Sequence, residues 1–482
     1  MPNETRSHAS QAAVVSDQSL RSFLAQLEAH GEMIRFTKQV SPERNMSAIE
    51  WKTYADLGKS SLFTDIEGHP GWTACSQIVA DRRKWAMAFG VAEAELLQTI
   101  AARIKQPIAA TRIDASSAPV KALRLFGADA NLEELPTMRV SERDGGRFIA
   151  SGIAFMRDPE TGIGNISLHR MHIMGRDKTG FIMVPRHARR IYDKYTALGR
   201  PTPVAMAIGV HPAIFFASAF TTSYGLDELT LAGGLLRESV RTVKCETIDV
   251  DVPAEAEIIL EGELVPGGHL EPEGPFGEVT GTYADRGQSH IFKLKAITRR
   301  RDAIFYALHC GFPPTDTQST TGLGIEVATL EHLKNVDGGL EILDLRCLTV
   351  SGLMALVIKL RPRVEGQAKI ALMAALSGPY QHPKLAIAVD EDIDASDLRQ
   401  VMWSLTTRVH AERDVVMIPY SRVFALDNVS PVVAGVEAFQ RVGTKWMIDA
   451  TKPAITMPKE RERFAKAMPP NFDAVDLKDF LP

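Results

Sequence analysis

The feature that most constrains the fold of this chain is a change of hydrophobic periodicity near its centre. Between residues 148 and 305 the pattern is that of successive strands, and apolar residues alternate with polar ones over 257–264 and 291–297. Only two stretches there have helical spacing, residues 187–198 and 228–240. Many short strands joined by turns predict a barrel-like β core.

The flanking regions have a different pattern, in which helices alternate with strands. Near the start, Leu20, Phe23, Leu24 and Leu27 recur at helical spacing, and after residue 312 helical and strand patterns alternate again. The pattern predicts an α/β (α+β) protein with a disordered lead (1–16) and an N-terminal α/β domain (17–118). The central barrel (119–312), a C-terminal α/β domain (313–438) and a C-terminal arm with a helix (439–482) follow.

Composition and charge exclude several classes of protein. The chain has 482 residues, 45% of them hydrophobic, and a net charge of −4, which is typical of a soluble globular protein without a basic field for nucleic acid. The most apolar stretch, 204–220, contains His211-Pro212, which would break a membrane-spanning helix. The four cysteines are scattered and the N-terminus lacks the apolar core of a signal peptide. We therefore expect a cytoplasmic protein with no membrane or nucleic-acid partner.

The run Glu271-Pro272-Glu273-Gly274-Pro275-Phe276-Gly277-Glu278 is the strongest candidate for a functional site. Its prolines and glycines fix an unusual backbone path that carries three carboxylates and one aromatic ring. Taken alone, the run is also compatible with a solvated acidic turn. Motifs typical of P-loop NTPases, α/β-hydrolases and zincins are absent from the sequence.

This run resembles the signature of the UbiD family of decarboxylases, which use prenylated FMN. Other stretches resemble the same family in the same order, from about residue 20 to about residue 450: they are Asn165-x-Ser167-x-x-Arg170, Arg186-His187, Asp227-Glu228-Leu229, Val243-Lys244-Cys245, His382-Pro383-Lys384-Leu385, residues 389–394 and residues 403–408. Several motifs in one order are more specific than any single motif. The resemblance implies that the central unit is a split β-barrel of the flavin-reductase type and that the C-terminal domain mediates oligomerisation.

The resemblance also implies catalytic roles for three of these residues. Arg170, Glu273 and Glu278 match the family's Glu-Arg-Glu network, in which Glu278 is the proton donor and Glu273 is coupled to it through Arg170. The chemistry is consistent with that division. A guanidinium can hold one carboxylate ionised through two hydrogen bonds, while a carboxyl facing an apolar cofactor and substrate retains its proton.

The cofactor and metal residues implied by the resemblance form a second group. Asn165, His187 and Glu228 match metal ligands, and this set of oxygen and nitrogen donors suits Mn²⁺ or Mg²⁺, with K⁺ as a further candidate ion. The remaining cofactor contacts implied are Ser167, Leu168, His169, Arg170, Arg186, Ser218 and Lys384. Two positions depart from common family patterns, because His169 replaces a smaller residue and Arg186 stands where glutamine is also frequent.

The implied activity is reversible, non-oxidative decarboxylation of an aromatic or heteroaromatic carboxylic acid. A flavin prenyltransferase would supply the cofactor, and the protein would be a homodimer or a higher homo-oligomer. Three alternatives remain open: a prenylated-FMN decarboxylase of cinnamic-type acrylic acids, a flavin carrier or flavin reductase without decarboxylase activity, and a purely structural oligomer, with which no flavin would co-purify. A cycloaddition and a single covalent adduct are both compatible with the resemblance.

Overall fold

A computed structural model describes residues 17–337, 339–433 and 440–481 of the chain. The predicted lead, residues 1–16, and the first residue of the predicted arm, Phe439, lie outside the described residues. The described chain builds three sheet-based units in sequence order, and the predicted mixed α/β fold class is confirmed. No described helix combines the length and the apolar character that crossing a membrane requires.

The N-terminal unit packs helices on a small sheet. Helix α1 begins after Ser19, whose side chain accepts a hydrogen bond from the Ser22 N–H, and it buries the four apolar residues that the periodicity singles out. The sheet is completed by a strand from later in the chain, Ile304–Tyr306, which pairs in parallel with Thr73–Ser76. The elements of this unit are α1 (Leu20–Ala29), β1 (Met33–Phe36), α2 (Met46–Leu57), β2 (Ser60–Phe63), β3 (Thr73–Ser76), α3 (Arg82–Phe89) and α4 (Leu96–Arg103).

The central unit is a β-barrel with helices outside it, as the alternation predicts. Its strands are β4 (Thr111–Arg112), β5 (Leu123–Phe126), β6 (Phe148–Arg157), β7 (Gly164–Ile173), β8 (Lys178–Phe181), β9 (Thr202–Ile208), β10 (Arg241–Lys244), β11 (Asp251–Pro253), β12 (Ile258–Leu264), β13 (Leu270–Glu273), β14 (Phe276–Gly277), β15 (Tyr283–Ala284) and β16 (Gly287–Arg299). The next strand, β17 (Ile304–Tyr306), is the one that joins the N-terminal sheet. Its helices are α5 (His187–Ala197), α6 (Pro212–Ala219) and α7 (Glu228–Leu236).

Six antiparallel strands close the barrel. Their order is β12-β9-β6-β7-β8-β16, and β12 pairs with β16 to complete the circle. Strand β13 extends the sheet by pairing with the first half of β16, so the acidic run leaves the barrel at its rim. The apolar stretch 204–220 forms β9, a turn and α6. Every residue from Pro212 to Ser218 is buried, and Phe216 packs its ring edge to face with Trp85 at 5.6 Å.

The C-terminal unit is a five-stranded sheet of order β18-β19-β20-β22-β21 with helices against it. The elements are α8 (Asp316–Leu333), β18 (Glu341–Cys347), β19 (Ala355–Arg361), α9 (Gln367–Leu376), β20 (Leu385–Val389), α10 (Leu398–Arg408), α11 (Ala411–Asp414), β21 (Val415–Val423), β22 (Arg441–Ala450) and α12 (Pro458–Glu462). Helix α8 is almost entirely buried and contacts both other units. Glu326 pairs with Arg82 of the N-terminal unit, and the Gln318 amide donates to the Val279 carbonyl of the central unit at 3.0 Å.

One predicted boundary needs correction. The sequence pattern predicts a C-terminal arm from residue 439, but Arg441–Ala450 is an internal strand, β22, which pairs with β20 and β21. The one lysine of this strand, Lys445, obscured it, because lysine is usually exposed whereas Lys445 is buried, with its ammonium group donating to the Leu376 carbonyl at 2.6 Å. The segment that leaves the sheet therefore starts only after Ala450.

Candidate active site

The acidic run and strand β7 meet at one arginine. The Arg170 guanidinium donates to both oxygens of Glu273, with Nε to Oε1 at 3.0 Å and Nη2 to Oε2 at 2.9 Å. Its Nη1 contacts Oε1 of Glu278. We call Arg170, Glu273 and Glu278 the carboxylate–arginine cluster. The structure thus brings together the three residues predicted to be catalytic.

Glu273 reaches Arg170 across the sheet because little stands between them. Strands β8 and β16 lie between β7 and β13, and the β8 residue in the path is Gly180. A Cβ at Gly180 would lie 3.1 Å from Cγ of Glu273 and 2.6 Å from Oγ of Ser289. The absence of a side chain there leaves room for Glu273 to lie over the strand.

Burial differs between the two carboxylates of the cluster. The side chain of Glu273 is 1% exposed and that of Glu278 is 14% exposed. The Arg170 guanidinium also lies 4.8 Å from the ring of Phe276, which covers it on one side. Glu273 is therefore enclosed and doubly hydrogen-bonded, whereas Glu278 has one contact with Arg170 and partial access to the surface.

The three predicted metal ligands meet at a second place, which we call the Asn165 corner (Asn165, His187 and Glu228). The Asn165 amide donates to Oε2 of Glu228 at 3.3 Å, and Nδ1 of His187 lies 3.4 Å from Oε1 of Glu228. Each residue lies at the start of a different element: Asn165 is the second residue of β7, His187 begins α5 and Glu228 begins α7. Side chains 63 residues apart in sequence thus share one site.

Two further groups fix the Glu228 carboxylate. The Ile166 backbone N–H donates to Oε2 at 3.0 Å, and the Thr222 hydroxyl donates to Oε1 at 2.9 Å. Asp227 caps helix α7 through the Leu229 N–H at 2.9 Å, and burial raises the pKa of its carboxyl. Sequence reasoning missed Thr222, since a threonine in a polar loop carries no signal of its own.

The Asn165 corner has an unused acceptor. The side-chain oxygen Oδ1 of Asn165 is buried and has no hydrogen-bond partner among the described residues. Such an orphan acceptor is costly unless a ligand completes it. No group of three or more His, Cys, Asp or Glu in the described ranges could hold a metal ion, so a site here depends on this amide oxygen. The donor set fits a hard divalent cation.

The intervening residues of β7 have their own partners. His169 stacks on Phe181 with ring centroids 4.4 Å apart, and its Nδ1 lies 3.1 Å from the Ile182 carbonyl. Burial lowers the pKa of His169 to about 4, so the ring is neutral and Nδ1 carries the proton. Ser167 then donates to Nε2 at 2.9 Å. Leu168 is half-buried against the main core.

The other predicted cofactor contacts are less closely grouped. Arg186 precedes α5 and donates to the Thr221 hydroxyl at 3.0 Å. The Ser218 hydroxyl donates to the Phe215 carbonyl of its own helix at 2.8 Å, so it would have to turn away to donate to a phosphate. Lys384 forms a 2.8 Å ion pair with Asp427, a residue of its own unit.

The C-terminal unit nevertheless reaches the barrel loops at two points. The Tyr380 hydroxyl accepts a hydrogen bond at 2.9 Å from the N–H of Thr221, the residue of the α6–α7 loop whose hydroxyl accepts from Arg186. The Asn428 amide donates to the Thr282 hydroxyl at 2.9 Å, just beyond the acidic run. Burial, with the Arg186 charge as a smaller cause, lowers the pKa of His382 to about 3. The loop that Arg186 contacts and the segment just beyond the acidic run therefore both touch the C-terminal unit.

Comparison with protein families assigns the whole chain consistently. Residues 24–104, 111–313 and 319–450 match, in that order, the N-terminal, the Rift-related and the C-terminal domains of 3-octaprenyl-4-hydroxybenzoate carboxy-lyase, the models named UbiD_N, UbiD and UbiD_C. A phenolic acid decarboxylase of Bacillus subtilis is 32% identical over 467 residues, which cover 94% of this chain and 95% of that protein.

Solved structures give the same assignment. The UbiD-class enzyme HmfF from Pelotomaculum thermopropionicum in complex with FMN superposes with a TM-score of 0.87 at 32% identity, covering 96% of this chain and all of that one. An evolved dimeric form of HmfF in complex with prFMN superposes with a TM-score of 0.84 at 31% identity, again over 96% of this chain and 100% of that one.

Proposed function

Since this chain belongs to the UbiD family of carboxy-lyases, we propose that it uses prenylated FMN to decarboxylate an aromatic or heteroaromatic carboxylic acid. The observation that carries the proposal is the carboxylate–arginine cluster, in which one guanidinium joins two glutamates of unequal burial. The similarity to a phenolic acid decarboxylase supports an aromatic substrate, and the similarity to an FMN complex and a prFMN complex supports the cofactor.

The residues of the cluster divide the work of proton transfer. Bound prenylated FMN would supply an electron sink for the carbon that loses CO2. Arg170 binds both carboxylate oxygens of Glu273 through two parallel hydrogen bonds and so fixes its position. Glu278, which is more exposed and has only one contact with the guanidinium, donates its proton to the carbon that has lost CO2.

The Asn165 corner would hold Mn²⁺ or Mg²⁺. Oδ1 of Asn165, a neutral imidazole nitrogen of His187 and the Glu228 carboxylate are the candidate ligands. The Ile166 N–H and the Thr222 hydroxyl orient the carboxylate before any ion binds. We propose that an ion held there would supply positive charge for an anionic part of the cofactor. Ser167, Leu168, His169 and Arg186 would surround the cofactor, and Lys384 would close the site from the C-terminal unit.

The same proposal also concerns the source of the cofactor and the oligomeric state of the protein. A flavin prenyltransferase in the same cell would supply the cofactor, and the exposed apolar side chains of strand β21, among them Met417, suit contacts in a homo-oligomer. The cytoplasmic location, the K⁺ ion and the role of Ser218 stay predictions.

The proposal is tested by producing the protein with and without an active flavin prenyltransferase. We expect a bound flavin with the mass of prenylated FMN only in the first case, together with CO2 release from at least one member of a panel of aromatic and heteroaromatic acids. Cinnamic-type acids in the same panel test the acrylate alternative, which CO2 release from these acids alone would favour. Unmodified FMN or no flavin, obtained alongside an active prenyltransferase, would instead favour a flavin carrier or reductase.

A further inference from the structure

The acidic run is hydrogen-bonded to residues 141–145, a segment that has no role in the proposed function. Oδ1 of Asp144 accepts a hydrogen bond from the Gly277 N–H at 2.8 Å, and its Oδ2 accepts from the Ser141 N–H at 2.8 Å. Gly277 is the residue directly before Glu278. One carboxylate therefore ties the backbone beside the proposed proton donor to the loop that precedes β6.

The same segment touches the run at a second point. The Gly145 N–H donates to the Pro275 carbonyl at 2.8 Å. A Cβ at Gly145 would lie 2.2 Å from the Gly274 carbonyl oxygen, which no side chain could tolerate. The two backbones are thus in direct contact, and Asp144 lies at the contact with only 3% of its surface exposed.

A third contact lies beyond Glu278. The Arg143 N–H donates to the Tyr283 hydroxyl at 3.1 Å, and the Arg143 guanidinium lies 4.8 Å from the centre of that ring. The segment therefore contacts the chain both before and after Glu278, which restrains the Glu278 backbone more strongly than one hydrogen bond would.

Asp144 also adds a negative charge to the surroundings of the cluster. Burial raises the pKa of its carboxyl, but the two N–H donors and the charges of Arg139 and Arg170 counteract that rise. The titratable groups facing this region come from several elements: Arg139, Arg170, His172, Glu273, Arg286 and Cys310. Arg139 and Arg170 are thus the two cations that act on the Asp144 carboxyl, and Arg170 also pairs with Glu273 and Glu278.

We propose that Asp144 is a positioning residue for proton transfer, which fixes the backbone of the Glu278 loop and, through its charge, keeps the proton on Glu278 to higher pH. This inference rests on the proposed function. Asp144 accepts from the N–H of the residue directly before Glu278, so an ionised Asp144 adds negative charge beside the Glu278 carboxyl and disfavours the loss of its proton. A general acid must be protonated to act, so activity is lost above the pH at which it ionises.

The test is Asp144→Asn in the prenylated-FMN-loaded protein. Asparagine has nearly the same shape, but it lacks the charge and would direct an N–H group at one of the two backbone donors. We expect the alkaline limb of the kcat profile to move to lower pH by on the order of one unit, with kcat reduced, KM little changed and flavin content unaltered. Glu142→Gln, an exposed carboxylate two residues earlier in the same loop, is the matched control and should match the wild-type profile.

A second measurement separates this inference from the proposed function. In the apoprotein, Asp144→Asn should speed amide hydrogen exchange in the peptide that contains Gly277, whether or not a substrate is found. Unchanged exchange would overturn the positioning role, and a uniform loss of activity without a shift of the pH profile would overturn the electrostatic role. A wild-type protein that releases no CO2 from any acid counts against the proposed function alone.

Discussion

The carboxylate–arginine cluster and the Asn165 corner lie on the same strand, β7, but differ in how complete they are. In the cluster, Arg170 satisfies both oxygens of Glu273 at 2.9–3.0 Å. In the corner, the distances to Glu228 are 3.3 and 3.4 Å, and Oδ1 of Asn165 has no partner among the described residues. The protein alone therefore completes the first site, whereas the second has the features of a site that a ligand completes.

This difference has consequences for stability and for binding. A side chain in a complete buried network contributes to the stability of the empty protein, because its removal leaves partners unsatisfied. A side chain whose missing partner is a ligand contributes to the stability of the protein mainly when that ligand is bound. Substitutions in the two sites should thus separate into those that affect chemistry or folding and those that affect loading.

The largest effect is expected for Glu278→Gln. The amide cannot donate the proton in the same way, so turnover should fall by about 10²- to 10⁴-fold, while flavin content stays at the wild-type level because the Asn165 corner is untouched. Turnover per bound flavin measures this. Glu271→Gln is the matched control, since Glu271 belongs to the same run but pairs with Lys178 at 2.9 Å, in a half-exposed position. Retention of more than a tenth of the turnover by Glu278→Gln would remove it as the proton donor.

Arg170→Lys should affect both chemistry and folding. An ammonium group cannot make the paired hydrogen bonds to Glu273 and also contact Glu278, so the buried Glu273 is left partly unsatisfied. We expect the empty protein to lose about 1–3 kcal/mol of unfolding free energy and turnover to fall by at least about tenfold, as measured by urea denaturation and CO2 release. Arg176→Lys, at an exposed arginine that donates to the Ala128 carbonyl, should change neither. An unaffected Arg170→Lys protein would show that the cluster is not rigidly built.

Asn165→Ala should have the opposite profile. Because Oδ1 has no partner in the part of the chain that the structure describes, the free energy of unfolding without ligands should change by less than about 1 kcal/mol. Affinity for Mn²⁺, measured by calorimetric titration in the presence of FMN, should fall by roughly ten- to a hundredfold. Asn131→Ala, which removes a turn cap at the Glu133 N–H outside the corner, is the control for binding. Large destabilisation of the empty Asn165→Ala protein would contradict the view that the corner is incomplete.

Sequence patterns predict the fold more completely than they predict the candidate site. Strand alternation is local, so it predicts the barrel, and the buried helix stripe of α1 follows from spacing alone. The contact between Arg170 and Glu273 joins residues 103 positions apart, and no periodicity encodes such a pair, so only the family resemblance suggested it.

What the sequence missed has a physical reason in each case. Asp144 and Thr222 act through hydrogen bonds to atoms that only the tertiary fold brings near, namely the Gly277 N–H and the Glu228 carboxylate. Strand β22 was hidden because Lys445, a residue type that is usually exposed, is buried there. Long-range partners and buried charges are thus the two features that local patterns do not report.

The smallest effect concerns His169, which lies on β7 between the two sites. Burial lowers its pKa from 6.5 to about 4, so below pH 6.5 the unfolded chain takes up a proton that the folded chain does not. Its contribution to stability is therefore complete above about pH 6.5 and is lost as the pH falls towards 4. Buried His211 and His382, with pKa values lowered to about 4 and about 3, act in the same direction.

His169→Gln should remove the part of this loss of unfolding free energy at low pH that His169 causes. Between pH 7 and pH 5 the wild-type unfolding free energy should drop by about 2 kcal/mol more than that of the variant, as measured by urea denaturation at both pH values. His30→Gln, at the exposed end of α1, should keep the wild-type slope. Equal slopes for wild type and His169→Gln would mean that folding does not lower the pKa of His169. The ring would then be protonated below about pH 6.5, and Ser167 could no longer donate to Nε2 there.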